Sequence, residues 1–306
     1  MRRKRNRRQA RADRDGFLFA LPWIVGFLAF SLYPILMSGY YSFTDFSAIK
    51  EPVWVGLKNY KSLFQDVNFY KSLSNTLIFT ALSVPVTIIL SLVVAMLLKI
   101  VPMGRTIFRG IFYVPSIFPV VAVTMIWVQL LDSRNGYLNR FLSLLGLRKL
   151  NWLGDPQMTK PSLVLMSCWG IGTTIVILLA AMGDVPKELY ESASIDGAKT
   201  ISQFFHITIP GISHVLLYQI ILAIIGGFQY FTQVYVLVAS QTSAFTMGGK
   251  AGPKNSLMVY PMYLFENAFV RLEMGRASAM AWLLFLIIGM LTFVTVRLSK
   301  KWVDIQ

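Results

Sequence analysis

Six stretches of this chain, residues 17–43, 73–98, 107–131, 161–182, 214–238 and 279–297, run for 19 to 27 residues with almost no ionisable side chain. A helix rises about 1.5 Å per residue and the hydrocarbon layer of a bilayer is about 30 Å thick, so about 20 apolar residues make one crossing. The exceptions to the apolar pattern are Arg109, near the start of the third stretch, and Arg297, at the end of the sixth. Both are placed to carry a guanidinium to the interface on an apolar stem. The expectation is an all-α, polytopic membrane protein with six transmembrane helices. Pro22, Pro34, Pro85, Pro115 and Pro119 fall inside these spans. Prolines are tolerated there because neighbouring groups satisfy the freed carbonyls, and kinks are expected.

Composition agrees: 55% of residues are hydrophobic and 14% charged, with a mean hydropathy of +0.58, where a soluble domain carries about 25% charge. The run 17–43 is too long for a cleaved signal peptide, whose apolar core spans about 7–15 residues. Cys168 is the lone cysteine and lies in an apolar span, so neither a disulfide framework nor a thiolate metal site arises, and it reads as a small buried hydrophobe. The net charge of +15 would fit a nucleic-acid binder only if Lys and Arg gathered on one solvated face. They lie between the apolar runs instead, which argues against nucleic acid as a partner.

The densest cluster, Arg2, Arg3, Lys4, Arg5, Arg7, Arg8, Arg11 and Arg14, precedes the first span. With the N-terminus in the cytoplasm, inner segments hold 16 Lys and Arg and outer segments hold 13, and the positive-inside rule then places both termini in the cytoplasm. The organisation expected is a basic N-terminus (1–16), a first helix with its outer loop (17–72), a transmembrane domain (73–297) containing an inner loop (184–213), and a short C-terminus (298–306). The outer segments 44–72, 132–160 and 239–278 are too short for separate domains.

The inner loop 184–213 reads as two short helices. Asp184 is a candidate cap, Pro186 suits a first turn, and Gly197 supplies a residue able to take positive φ and end the first helix. A second helix is expected over Thr200–His206, stopped by Pro210. Ser192, Ala193, Ser194, Gly197 and Ala198 let another protein approach the backbone, and Glu191 and Asp196 offer charge partners. An interfacial amphipathic helix with no protein partner fits the same periodicity.

Glu191-Ser192-Ala193, Asp196-Gly197-Ala198, Phe204, Ile207 and Ile209-Pro210 resemble the cytoplasmic loop of ABC importer permeases: Glu-Ala-Ala, Gly four residues after the second Ala, and a later apolar-Pro pair. Ser192 stands for the usual Ala, Ile209 for Leu, and His214 where Pro is common. The likeness extends to Tyr33-Pro34, Trp54-Gly56-Leu57-Asn59-Tyr60, Asn75-Thr76, Gly275 and Ala277, and is closest to the carbohydrate-uptake permeases of the maltose and glycerol-phosphate type. The resemblance implies a type I importer (MetI-like) permease in the cytoplasmic membrane of a prokaryote. Its partners would be a second permease subunit, two cytoplasmic ATPase subunits that bind ATP and Mg, and an extracellular or periplasmic solute-binding protein delivering a sugar. Coupling to the ATPase would fall to Glu191, Ser192, Ala193, Asp196, Gly197, Ala198 and Pro210. No cofactor is implied for this chain itself.

A phosphate-binding loop, G-x-x-x-x-G-K followed by Ser or Thr, does not occur. Gly248-Gly249-Lys250 is a superficial match, with Ala244 and Ala251 at the defining flanks, and reads as outer loop. In the fifth span Gly226, Gln229, Tyr230 and Gln233 recur at helical spacing. They either line a polar cavity, with Gly226 leaving room for a ligand, or hydrogen-bond to neighbouring helices and hold the bundle together. The resemblance favours the cavity and adds Gly170, Ile171 and Thr174. Trp127 and Trp169 are candidate stacking surfaces or packing residues. His206 and His214 sit in or beside the inner loop without a catalytic companion. Outer residues Trp54, Tyr60, Asn255 and Glu266 are expected to face the binding protein. An ion-coupled secondary transporter is the alternative, lacking a titratable coupling residue at depth, and a membrane scaffold is a third reading.

Overall fold

The computed structural model describes residues 7–47, 49–101, 104–241 and 251–300. Gly248-Gly249-Lys250, most of the basic N-terminal cluster's side chains and the last six residues lie outside what is described. In chain order the elements are α1 (Arg7–Phe27), α2 (Tyr33–Tyr41), β1 (Thr44–Ser47), β2 (Lys50–Trp54), α3 (Lys58–Phe64) and α4 (Val67–Ile100). There follow α5 (Arg105–Tyr113), α6 (Val120–Leu130), α7 (Tyr137–Leu144), α8 (Thr159–Ser167), α9 (Gly172–Asp184), α10 (Lys187–Ile195) and α11 (Thr200–Gln203). The last are α12 (Ile209–Gly211), α13 (Ser213–Phe228), α14 (Thr232–Gln241), α15 (Tyr260–Phe265) and α16 (Met274–Ser299).

Four continuous apolar passages, Arg14–Tyr41, Val67–Ile100, Ser213–Ser240 and Met274–Ser299, are long enough to cross a bilayer. Two more are bent pairs: Thr106–Ser116 with Val120–Leu130, at 91°, and Thr159–Gly170 with Gly172–Asp184, at 54°. Counting each pair as one span gives the six expected. Their outward sides carry large apolar residues, with Phe19 91% and Met290 70% exposed, which lipid accommodates and water would not. The chain is a multi-pass membrane protein.

Proline explains some of the irregularities. Pro115 and Pro119 bracket the sharp bend, and Pro119 has an extended ψ of 128° before α6 begins. Pro22 and Pro85 sit inside continuous helices. Pro34 and Pro210 each follow a π turn, Leu28–Leu32 and Phe204–Thr208, which widens the helix where the ring would press on the preceding turn. The 54° break has no proline within Cys168–Ile171. Its condition is Gly172, where a Cβ would overlap the backbone oxygen of Phe112.

The described residues form two compact units. One joins the chain up to Gln65 with Asn267–Trp282 and holds a β-hairpin not expected from sequence, with Thr44 opposite Trp54 and Ser47 opposite Lys50. The Asn59 side chain donates to Ser42 O and Thr44 O at 3.0 and 2.9 Å, and the Tyr60 hydroxyl donates to Ser42 Oγ at 2.9 Å. At Gly275 a Cβ would overlap the Thr44 carbonyl. Asn59, Tyr60 and Gly275 are therefore staples of this unit.

The second unit, Asp66–Glu266 with the chain from Leu283, is built on α4, α9 and α13. Its core runs from Ile88, Ala95 and Leu98 through Ile175, Leu178 and Met182 to Ile212 and Leu216. Asn75 donates to Asn255 O and Met258 O, both at 2.9 Å, and Thr76 Oγ1 accepts from Tyr260 N at 2.8 Å. The pair fastens α4 to the turn before α15. At the start of α4, Asp66 accepts from Asn68 N and from the Tyr263 hydroxyl.

Candidate functional site

The loop after α9 forms the expected pair of helices, with altered ends. Asp184 is the last residue of α9 and caps nothing, because Pro186 drives Val185 to an extended ψ of 124°. Pro186 itself occupies the cap position before α10, which carries no side-chain cap. At the other end of α10 the backbone closes a Schellman motif: Gly197 N donates to Ser194 O at 3.1 Å and Ala198 N to Ala193 O at 2.8 Å. Gly197 stands at φ +78°, the left-handed conformation this motif places after the cap residue. The Gln203 amide then donates to Ser194 Oγ at 2.9 Å and Ala198 O at 3.1 Å, tying α11 back to α10. No local pattern in the sequence marks Gln203 for this role.

The second helix does not stop at His206. It continues through the π turn and α12 and ends at Gly211–Ile212, so Pro210 lies inside the helical stretch. The turn's wider pitch absorbs the proline, and the stop moves to Gly211, where a Cβ would meet Val185 Cγ2 at 3.0 Å.

The hairpin has two faces. Tyr190, Phe204, Ile207 and Ile209 pack on the ends of α4, α9 and α13. Glu191, Ser192, Asp196 and Gly197 are exposed, as are Leu189, Ile201 and Phe205, with Ile195 87% exposed. Glu191 makes no ion pair among the described residues. Ala193 and Ala198 are half-buried and Pro210 is exposed. A mixed surface of short side chains, the carboxylates Glu191 and Asp196 and isolated apolar side chains is suited to a protein groove.

Between α6, the break before α9 and the α13–α14 junction lies a cavity of about 340 Å³, open on one side. Trp127 and Trp169 pack edge to face in its wall, with centroids 6.1 Å apart, Trp127 buried and Trp169 exposed. Gly170, Thr173, Tyr230 and Gln233 line it as well. The Tyr230 ring rests on Phe79 at 4.6 Å.

The expected stripe does not survive intact. α13 ends at Phe228 after the Gly226–Gly227 pair, and Gln229 N donates to both Ile225 O and Gly226 O, so the helix tightens and unwinds before α14. Helical spacing across that junction no longer defines one face. Tyr230 and Gln233 reach the cavity, whereas Gln229 is exposed and Gly226 faces open space. The close approach belongs to Gly227, where an added Cβ would meet Thr80 Oγ1 at 2.7 Å. Ile171 joins the hydrophobic core and Thr173 takes the lining position expected of Thr174. Glu266 is 7% exposed and buried, not presented to a partner.

Residues 87–304 match the family of binding-protein-dependent transport system inner membrane components, and the chain belongs to that family. It is a permease subunit of the ABC importer class. It is 32% identical over 306 residues to the probable ABC transporter permease protein YesP of Bacillus subtilis (strain 168), with 99% of this chain and 96% of that protein covered. It is also 32% identical to the arabinooligosaccharides transport system permease protein AraP of the same organism, over 92% of this chain and 88% of that one. The fold matches a chain in the crystal structure of a bacterial alginate ABC transporter in complex with an alginate pentasaccharide-bound periplasmic protein. The TM-score is 0.79 at 22% identity, covering 97% of this chain and 98% of that one.

Proposed function

We propose that this permease carries a sugar or oligosaccharide into the cell, as half of a two-permease core served by an external binding protein and driven by two cytoplasmic ATPase subunits. The carrying observation is the cavity, where the Trp127–Trp169 pair, with the Trp169 ring exposed, meets Tyr230 and Gln233. Flat aromatic rings pack on the C–H faces of a sugar while amide and phenol groups answer its hydroxyls, the pattern of a concave, mostly apolar site with a few convergent polar groups. The permease relatives named for arabinooligosaccharides and for diacetylchitobiose support the substrate class.

In this reading the termini and the α10–α12 hairpin are cytoplasmic. The exposed side of α10, with Glu191, Ile195 and Gly197, seats in a groove of an ATPase subunit, where ATP and Mg are bound. Closure of the nucleotide sites moves the hairpin, and the packed ends of α4, α9 and α13 carry that motion to the cavity. An ion-coupled mechanism is disfavoured: the acids within the described spans are Asp15 and Asp184, both at span ends.

The test is uptake of labelled arabino-oligosaccharide, diacetylchitobiose and maltose by vesicles containing the co-purified assembly, with Mg-ATP and the binding protein. Gln233→Ala and Tyr230→Ala are expected to lower uptake about tenfold, the loss of one or two hydrogen bonds, without loss of assembly. Unchanged uptake in both variants would make these residues architectural.

A further inference from the structure

The hinge between α9 and α10 consists of only Val185 and Pro186, and a side chain from a third helix spans it. α4 is 34 residues long, about 50 Å at 1.5 Å per residue, so it outreaches a hydrocarbon layer of about 30 Å and brings Lys99 to the hinge beyond it. Lys99 Nζ donates to Met182 O at 3.0 Å, before the hinge, and to the Tyr190 hydroxyl at 3.1 Å, after it. The same ammonium stands 4.2 Å from the centroid of the Tyr190 ring. Tyr190 in turn shares a hydrogen bond of 2.9 Å with Thr208 Oγ1, in the turn before α12.

The bond to Met182 answers a specific vacancy. The helical partner of that carbonyl would be the N–H of the residue four positions on, which is Pro186 and has none. Met182 is 1% exposed, and an unpaired buried carbonyl costs about 1–3 kcal/mol. An ammonium also suits the negative end of α9. With three donors on one nitrogen, Lys can hold both sides of a hinge at once.

We infer that Lys99 is a positioning residue that locks the α9–α10 hinge through Met182 O and Tyr190, so that the α10–α12 hairpin and the α4–α9 pair move as one rigid body. The inference rests on the proposed docking of α10 on an ATPase subunit, because a soft hinge there would let the hairpin swing without moving the spans. Lys99 touches no substrate, and its effect is on transmission.

The experiment uses the intact assembly with Cys168→Ser and nitroxides on cysteines at Leu97 and at Ile201, on α11 and away from the docking side of α10, both exposed, with distances measured by double electron–electron resonance. Without nucleotide, the unsubstituted chain is expected to give one narrow distribution, and Mg-ATP with vanadate should leave it in place. Lys99→Met, which keeps the stem and removes the donors, should broaden it about twofold with ATP hydrolysis retained, the signature of a two-position element set free. Tyr190→Phe, which keeps the ring and removes the hydroxyl, should broaden it less, and Lys99→Arg should restore most of the narrow distribution. A Lys99→Met distribution as narrow as the parent's overturns the clamp, as does a parent distance that shifts with vanadate. The docking reading fails separately, if a cross-linker on the Ile195→Cys position captures no ATP-hydrolysing subunit while the nucleotide-free distances still behave as stated.

Discussion

Gly172, Gly197 and Gly226 are one residue type under three constraints, and one added methyl group separates them. At Gly172 the methyl would overlap the Phe112 backbone oxygen. No rotamer relieves a backbone clash, so Gly172→Ala should cost about 1–3 kcal/mol as α5 and α9 are pushed apart. At Gly197 the surroundings are open but φ is +78°, so Gly197→Ala should cost about 1–2 kcal/mol through backbone conformation alone. That loss should fall on the α10–α11 turn. Gly226 lies in helical backbone with nothing within 4 Å of an added Cβ, and Gly226→Ala should be neutral or gain about 0.5–1 kcal/mol. Thermal denaturation of the purified assembly in detergent ranks the three. A Gly226→Ala variant as unstable as Gly172→Ala would show that Gly226 is packed against a neighbour. Reduced uptake at undiminished stability would instead return Gly226 to the ligand path.

The clasp between α4 and the turn before α15 makes a prediction about a segment and not a site. Asn75 gives both amide hydrogens to carbonyls of Asn255 and Met258, about 180 residues away, and is 3% exposed. Asn75→Ala would strand the buried Met258 carbonyl at about 1–3 kcal/mol, while Asn255 O keeps the Met258 N–H as a donor, so amide exchange across residues 253–263 should accelerate while that of α9 stays unchanged. Equal protection in the variant would mean that packing of Tyr260 and Tyr263, both fully buried, holds the segment unaided. Asn75-Thr76 could be noticed in the sequence as polar residues opening an apolar span, but not their partners, since no local period links positions so far apart. The same limit hid Lys99, whose partners are reached only through the fold. Where the determining signal is local, it was legible: Gly197 after an amphipathic turn announced the left-handed cap, and the apolar run lengths announced the spans. Helical spacing misled at Gln229, because a period is informative only while the helix continues, and Gly226–Gly227 ends it. The β-hairpin escaped notice because Thr44–Trp54 shows no regular apolar-polar alternation.

The number of crossings determines which side each loop faces, and the two bent pairs make that number a matter for experiment. With six crossings and the N-terminus inside, α7 lies outside and the α10–α12 hairpin inside. If both bent pairs instead dip into the bilayer and return, the chain crosses four times. The hairpin then still lies inside, but α7 moves to the cytoplasm. A residue on α7 therefore decides between the two crossing numbers, and a residue on the hairpin tests the orientation. Leu144, at the end of α7, is 85% exposed and Ile195, at the end of α10, is 87% exposed, so a cysteine at either is reachable from its own side. In a Cys168→Ser background, a membrane-impermeant maleimide applied to intact cells should label Leu144→Cys and leave Ile195→Cys unlabelled until the membrane is opened. Protection of both positions would select four crossings and keep the hairpin within reach of a cytoplasmic motor. Labelling of Ile195→Cys in intact cells would reverse the orientation that the 16 inner Lys and Arg against 13 outer ones imply. It would also remove the hairpin from any ATP-hydrolysing partner, since such a subunit draws its nucleotide from the cytoplasm.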